Sequence, residues 1–330
     1  NICCFNTAVG NETLRLNSTG ENNTAIGVMS LQCNTTASNN AAVGASALRL
    51  NTTGTPNVAV GPNALCANTT GTNNVALGRS ALKVNTTSSS NTAIGSFSLA
   101  TNTGSNNTAV GRESLYSNTT ASTNVAVGAC ALKANTTGTN NVAVGCGSLL
   151  NNVVCIRNTA IGHLSICGNG TISGGCNTAL GALSLRCLTS GSSNTAVGDS
   201  ALCKNSTASN NTAVGFEALK TNTTGSGNTA VGRDALETNT ANDNTAVGYE
   251  ALKLNAAGTR NSAVGRNALE ANTSGDSNTA MGTNALLLNT TADNNTAFGA
   301  DALTANTTGT ENTSVGKSSL ATNTTGACNT

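Results

Sequence analysis

The chain has 330 residues, of which only 9% are charged and 2% aromatic, and its formal net charge is +1. So sparse and balanced a charge leaves no electrostatic footprint for nucleic acid or an anionic membrane, and without Trp there is no base-stacking platform. No run of 18 apolar residues is present to form a spanning helix.

The residues fall into one repeated phrase, Asn-Thr/Val-Ala-Val-Gly, two free residues, Ala/Ser-Leu, two free residues, Asn-Thr-Thr-Gly. The glycines that end its first part run from Gly10, Gly27 and Gly44 to Gly316; fifteen of the eighteen gaps between them are 17 residues, two are 16 and one is 19. A short fixed period over a whole chain predicts a solenoid whose units are too small to fold alone. The expected fold is all-β, a parallel β-solenoid (β-roll) of about 19 coils with 17 residues in each, as one continuous domain over 1–330. At about 4.8 Å per coil it would be a rod of about 90 Å. A disordered chain would have no reason to keep the regular Val and Leu register.

Taking the glycine as position 0, each coil opens with Asn at −4, as in Asn6, Asn23 and Asn40. Positions −3 (Thr or Val) and −1 (Val, Ile or Leu, with Met281 and Phe298 the bulkiest) share one face of a strand by period-two alternation. Being mostly β-branched, they are expected to point inward, which makes Val9, Val43 and Val60 one core column. Position −2 is Ala in every coil but one, where Ser314 stands. On that phase Ala8, Ala25, Ala59 and Ala76 face outward, and their constancy implies a face that packs closely on another chain. Strand curvature that turns the same alanines into a tight core is the alternative.

After the glycine come two variable, solvent-facing residues, then Ala or Ser, then Leu at +4 (Leu14, Leu48, Leu65), the second expected core column. Opposite charges three apart (Glu12/Arg15, Glu217/Lys220, Glu250/Lys253) suit a short helical turn in this return arm, but so few residues also suit a short strand. A second Asn stands at +7 in every coil but that of Leu188. Asn-Thr-Thr-Gly is turn chemistry, and identical Asn side chains stacked coil on coil can bond as ladders. The +7 residues also form Asn-x-Ser/Thr sequons (Asn34, Asn51, Asn68, Asn118, Asn135), a consequence of the turn phrase itself.

Twelve cysteines, a single His163 and no Cys-x-x-Cys give no zinc spacing, so disulfides in an oxidising, extracellular setting are expected. Cysteines near matching places in successive coils pair as Cys130 with Cys146, Cys155 with Cys176, and Cys187 with Cys203, with Cys167 competing for Cys187. Residues 146–188 hold the long gap and five cysteines, and mark an irregular insertion where a loop or kink is expected. At the end of the chain, Asn329-Thr330 opens a further repeat, so the sequence reads as a mature piece or a fragment, with no secretory leader visible. Cys328, matched with Cys3 or Cys4 of a neighbouring copy, would lock a head-to-tail polymer across open strand edges.

In its Asn-Thr-Ala-Val-Gly phrases the chain resembles the repeat tracts of phage tail-fibre and bacterial surface-fibre proteins, over essentially its whole length. It is similar as well to the head repeats of trimeric autotransporter adhesins, whose Ser-Val-Ala-Ile-Gly strands form a left-handed parallel β-roll of three chains side by side. The resemblance implies a fibre and carries no catalytic residues.

One His and 14 scattered acids without a nucleophile–base arrangement make an enzyme unexpected, and no cofactor or metal set is visible. The expected function is an extracellular or particle-surface fibre subunit, structural or adhesive, assembling side by side or head to tail. Its partners would be copies of itself, with a surface glycan or receptor as a further candidate. The alternative is a surface-binding solenoid that orders ice or a glycan through a periodic Thr/Asn face such as Thr7, Thr24, Thr92 and Thr108. The Val that replaces Thr at Val58, Val75, Val125 and Val142 suits a core column better than such an array.

Overall fold

The computed structural model describes residues 5–330. They form a parallel β-solenoid, with no helix among the described residues, in two compact units. The first is Asn1–His163 with Thr171–Ser173, the second Leu164–Gly170 with Gly174–Thr330. In the first unit strands run from β1 (Thr7–Val9) to β10 (Thr159–Ile161), each parallel to the next and in register, so that Ala8 faces Ala25 and Ala143 faces Ala160. In the second, β11 (Thr178–Leu180) to β19 (Thr313–Val315) repeat the arrangement. The irregular stretch 146–188 contains the junction of the two units, and there Asn152 bridges Ile172.

The strand phase is the reverse of the expected one. The alanines are the interior: Ala25, Ala59 and Ala76 are fully buried, and only Ala8, in the first coil, is exposed. The −1 residues stand outward, Val9 and Val43 exposed and Val60 half-buried. Period-two alternation holds, but a phase error of one residue exchanges the two faces. The cause is the narrow coil. Its cross-section is already occupied by the +4 Leu, the Ala or Ser at +3 and two Asn side chains, all buried, so the facing strand has room only for a methyl group. The Leu column does lie inside: Leu48 and Leu65 are fully buried, and Leu14 is half-buried in the first coil.

The return arm is neither helix nor strand. Its +2 and +4 residues lie in the left-handed region, with φ between 46° and 54° for the residues at +4. For a bulky residue that is a costly conformation, about 1–2 kcal/mol. It is held because the backbone is bonded on both sides: Leu48 N–H donates to the Ala64 carbonyl of the next coil at 3.0 Å, and Asn51 N–H donates to the Leu48 carbonyl at 3.2 Å. Of the charge pairs read as one helical turn, Lys220–Glu217 (2.8 Å) and Lys253–Glu250 (2.7 Å) form on this non-helical arm.

Position 0 is glycine for two reasons. Gly44 has φ of 133°, open to glycine alone, and a Cβ there would meet the Gly61 carbonyl carbon of the next coil at 2.7 Å.

Both Asn columns are buried ladders. At −4 within each unit, the backbone N–H donates to the side-chain Oδ1 of the Asn one coil earlier, as Asn57 to Asn40 (2.8 Å) and Asn74 to Asn57 (3.0 Å) in the first and Asn194 to Asn177 (3.0 Å) in the second. At +7, amide bonds amide: Asn51 Nδ2 to Asn34 Oδ1 (3.0 Å), Asn68 Nδ2 to Asn51 Oδ1 (2.8 Å). The ladder is interrupted in the irregular stretch. Asn169, which occupies +7 by spacing, is exposed, while Ile172 pairs with Asn152 and is fully buried, as is Leu188.

Candidate functional surface

The +7 sequons are closed by this architecture. Asn34, Asn51, Asn68, Asn118 and Asn135 are fully buried with Nδ2 donating in the ladder, so the folded chain presents none of these amides for glycosylation. The buried Asn columns also cannot form part of a surface array.

What remains outside falls into two unlike surfaces. The first is the strand face. In each unit the −1 column stacks in register, Ile26, Val43, Leu77 and Ile94 in the first and Val214, Val231, Val247, Val264, Met281 and Phe298 in the second, all exposed. The −3 column stands beside it, with Val58 and Val125 exposed and Thr24, Thr92 and Thr108 half-buried. Of the Val residues at −3, Val58 and Val125 are exposed and Val75 and Val142 half-buried, so none of them joins the core. None of the 15 Lys and Arg or 14 Asp and Glu lies in a strand. An apolar, uncharged stripe of this regularity is unusual on a solvated surface.

The second surface is the return arm, at +1, +2 and +5, where much of the charge and most of the rings collect. In the second unit Arg233 lies over both Phe216 and Tyr249 at 5.7 Å, and Arg266 over Tyr249 at 5.8 Å, a ladder of alternating ring and guanidinium. Beside it, Lys253 pairs with Glu250, holding that carboxyl below its usual range and the ammonium above its own, mainly through their hydrogen bond. In the first unit Arg79 lies over Phe97 at 5.3 Å, Phe97 meets Tyr116 edge to face with centroids 6.4 Å apart, and Glu113 bonds both Arg112 (2.7 Å) and Lys133 (2.8 Å).

The cysteines of the expected pairs are free thiols in this structure, with other partners. The Cys130 thiol faces Glu113 Oε2 (3.8 Å) while Cys146 is exposed; the buried Cys155 thiol donates to the Ile172 carbonyl (2.9 Å) while Cys176 is exposed. Cys187 has neighbours on both sides: its N–H donates to the Cys203 carbonyl at 3.0 Å, and Gly168 N–H, next to Cys167, donates to the Arg186 carbonyl beside it at 2.8 Å. Cys328 is exposed, its thiol 3.5 Å from Glu311 Oε2; its expected partners Cys3 and Cys4 lie outside the described residues. Among the described residues no cluster of three His, Cys, Asp or Glu is arranged to hold a metal.

The chain matches no family model and no curated protein.

Proposed function

We propose that this protein is a structural or adhesive fibre subunit of an extracellular or particle surface, and that its copies associate side by side through the strand face. One observation carries the reading: the in-register −1 column is apolar in every coil and exposed in most of them, with Val60, Val110, Val127, Val144 and Val197 half-buried, and no charged residue lies anywhere in the strands. A second copy of the same face is the natural cover for it. Two such faces match in shape and hydrophobicity at every coil and bring no charge to desolvate. The packing face expected at Ala8, Ala25, Ala59 and Ala76 thus shifts by one residue. Sedimentation of a Val43→Glu, Leu77→Glu, Ile94→Glu variant tests it: a smaller particle with unchanged β circular dichroism supports the reading. A native chain that stays monomeric at all concentrations, or a variant that assembles unchanged, rejects it.

A second reading, a solenoid that binds an ordered surface such as ice, is favoured by one feature. In the second unit every −3 residue is a hydroxyl: Thr178, Thr195, Thr212, Thr229, Thr245, Ser262, Thr279, Thr296 and Thr313. Parallel pairing repeats them about every 4.8 Å. Thermal hysteresis lost on Thr212→Leu and Thr229→Leu would favour this reading; its absence from the native protein removes it.

A further inference from the structure

The return arm of the first unit contains a cavity of about 270 Å³ lined by Phe97, Glu113, Tyr116 and Lys133. Its walls are unusual for this chain. Two of only six Phe and Tyr residues meet there. The charge is locally lopsided as well: between Gly61 and Gly145 the cations are Arg79, Lys83, Arg112 and Lys133, against Glu113 alone. The chain as a whole is nearly neutral, at +1.

The geometry narrows what fits. Phe97 and Tyr116 stand at 65° to each other, which makes an apolar corner and not a parallel slot for a flat aromatic ligand. Glu113 accepts from Arg112, Lys133 and the Cys130 thiol, and any further partner it takes from a ligand must be a donor such as a hydroxyl. Lys133 is half-exposed and uses one contact on Glu113, so its remaining N–H groups can meet an anion. Arg79, over Phe97, adds positive charge at the aromatic wall. The volume lies at the small end of ligand pockets, roughly 300 Å³ and upward, so it takes one ring and not an extended chain.

We propose that this cavity binds a carboxylated sugar residue. A uronic or sialic acid unit has all three features the walls require: a C–H face for the aromatic corner, hydroxyl donors for Glu113, and a carboxylate for Lys133 and its neighbouring guanidinium groups. The site lies on the return arm, away from the strand columns, so binding there holds or fails independently of self-association.

The chain has no Trp and two tyrosines, Tyr116 and Tyr249. In a Tyr249→Phe background, Tyr116 fluorescence therefore reports on the cavity alone. The probes are oligogalacturonate, a glucuronate-containing tetrasaccharide and sialyllactose, each against its methyl-ester form. The expected result is saturable change with at least one free acid, weakened about tenfold by Lys133→Gln and weakened further as salt rises. A Tyr116→Ala variant, followed by calorimetry, should lose the binding while keeping its β circular dichroism. No response to any of the three acids overturns the proposal. Equal binding of acid and ester overturns the acidic class, and binding that survives both substitutions places the ligand elsewhere.

Discussion

The side-chain amides of Asn57 and Asn68, eleven residues apart in one coil, converge on a single oxygen, the Gly71 carbonyl, at 2.9 and 3.0 Å. One acceptor thus ties the start of the strand to the turn that closes the coil. The same two residues also carry the bonds to the coils on either side: Asn57 donates its backbone N–H to Asn40 Oδ1 and accepts at its own Oδ1 from Asn74 N–H, while the Asn68 amide donates to Asn51 Oδ1 and accepts from Asn85 Nδ2. Each coil is closed on itself and to its neighbours by the same pair of residues, which is why this solenoid manages with so small an apolar core.

Asn68 is the more exacting test of that arrangement. Asn68→Ala removes the donor to Gly71 and to Asn51 and leaves buried acceptors without it, a loss of about 2–3 kcal/mol. Asn68→Asp should be worse at neutral pH, about 3–5 kcal/mol, because an ionised carboxylate would face two acceptors in a buried site. Burial raises the folded-state pKa of such a carboxyl above its unfolded value. The Asp variant is therefore closest to the native protein below the unfolded carboxyl pKa, about 3.9, and loses stability as pH rises through the raised folded value. Hydrogen exchange at two pH values should show the loss in the coils next to Asn68, since solenoid stability is set between neighbours.

Ile166 is the one β-branched residue at the strained +4 position, with φ of 46°. It is fully buried and its N–H donates to the Ser184 carbonyl at 3.0 Å. A left-handed conformation costs a β-branched side chain more than Leu. Ile166→Leu conserves volume and should stabilise the second unit by about 1 kcal/mol. Chemical denaturation followed by circular dichroism would check it, and a loss of stability would show that packing, not backbone strain, decides the position.

Coil length, the two Asn ladders, the Leu column and the parallel stack are all legible in the sequence, because each comes from spacing alone. Strand phase is not, because alternation fixes which residues share a face but not which face is inside. The deciding clue lies in size. Position −2 never exceeds Ala or Ser, as a tight interior demands, whereas −1 ranges from Val to Phe298, which only an open surface tolerates. The return arm was ambiguous for another reason: its left-handed residues at +2 include Glu, Ser, Met, Phe and Leu, so composition does not betray the backbone. The aromatic cavity has no sequence signature either, since Phe97, Tyr116 and Lys133 come from three different coils.

The thiols should separate by environment. Burial pushes Cys66, Cys155, Cys167 and Cys203 up, which lowers their thiolate fraction, whereas Cys146 and Cys176 are exposed. Iodoacetamide at mildly alkaline pH should label Cys155 last, because its thiol is also engaged by the Ile172 carbonyl. Cys328 is exposed but held up by its hydrogen bond to the Glu311 carboxylate, so Glu311→Gln should speed its alkylation. Under oxidised glutathione, Cys187 is expected to bridge to Cys203 or Cys167, its two neighbours. Peptide mapping reads all of these, and a bridge from Cys187 to any other cysteine would contradict the column.

The last prediction concerns the one break in the +7 ladder of the second unit outside the irregular stretch. Asn222 Oδ1 is buried without a partner. The coil that should supply one is a short coil, with 16 residues between Gly232 and Gly248. Its Asn239 Nδ2 is drawn to the Ala241 carbonyl two residues on, at 2.8 Å. In a full coil the acceptor lies three residues on and the amide reaches the previous coil as well, as Asn255 does to Gly258 and Asn239 at 2.8 and 2.7 Å. The other short coil shows the same stretch: Asn102 Nδ2 lies 2.7 Å from the Gly104 carbonyl and 3.4 Å from Asn85 Oδ1. Both coils therefore have one residue, and not two, between the +7 Asn and the small residue that closes the turn: Thr103 before Gly104 and Thr240 before Ala241. Inserting one Thr between Thr240 and Ala241 should restore the 17-residue coil, let Asn239 reach Asn222, and stabilise the second unit by about 1–2 kcal/mol. Hydrogen exchange should rise in protection at Asn222 and Asn239 together. Unchanged or weakened protection would mean that the short turn, once formed, costs the ladder nothing.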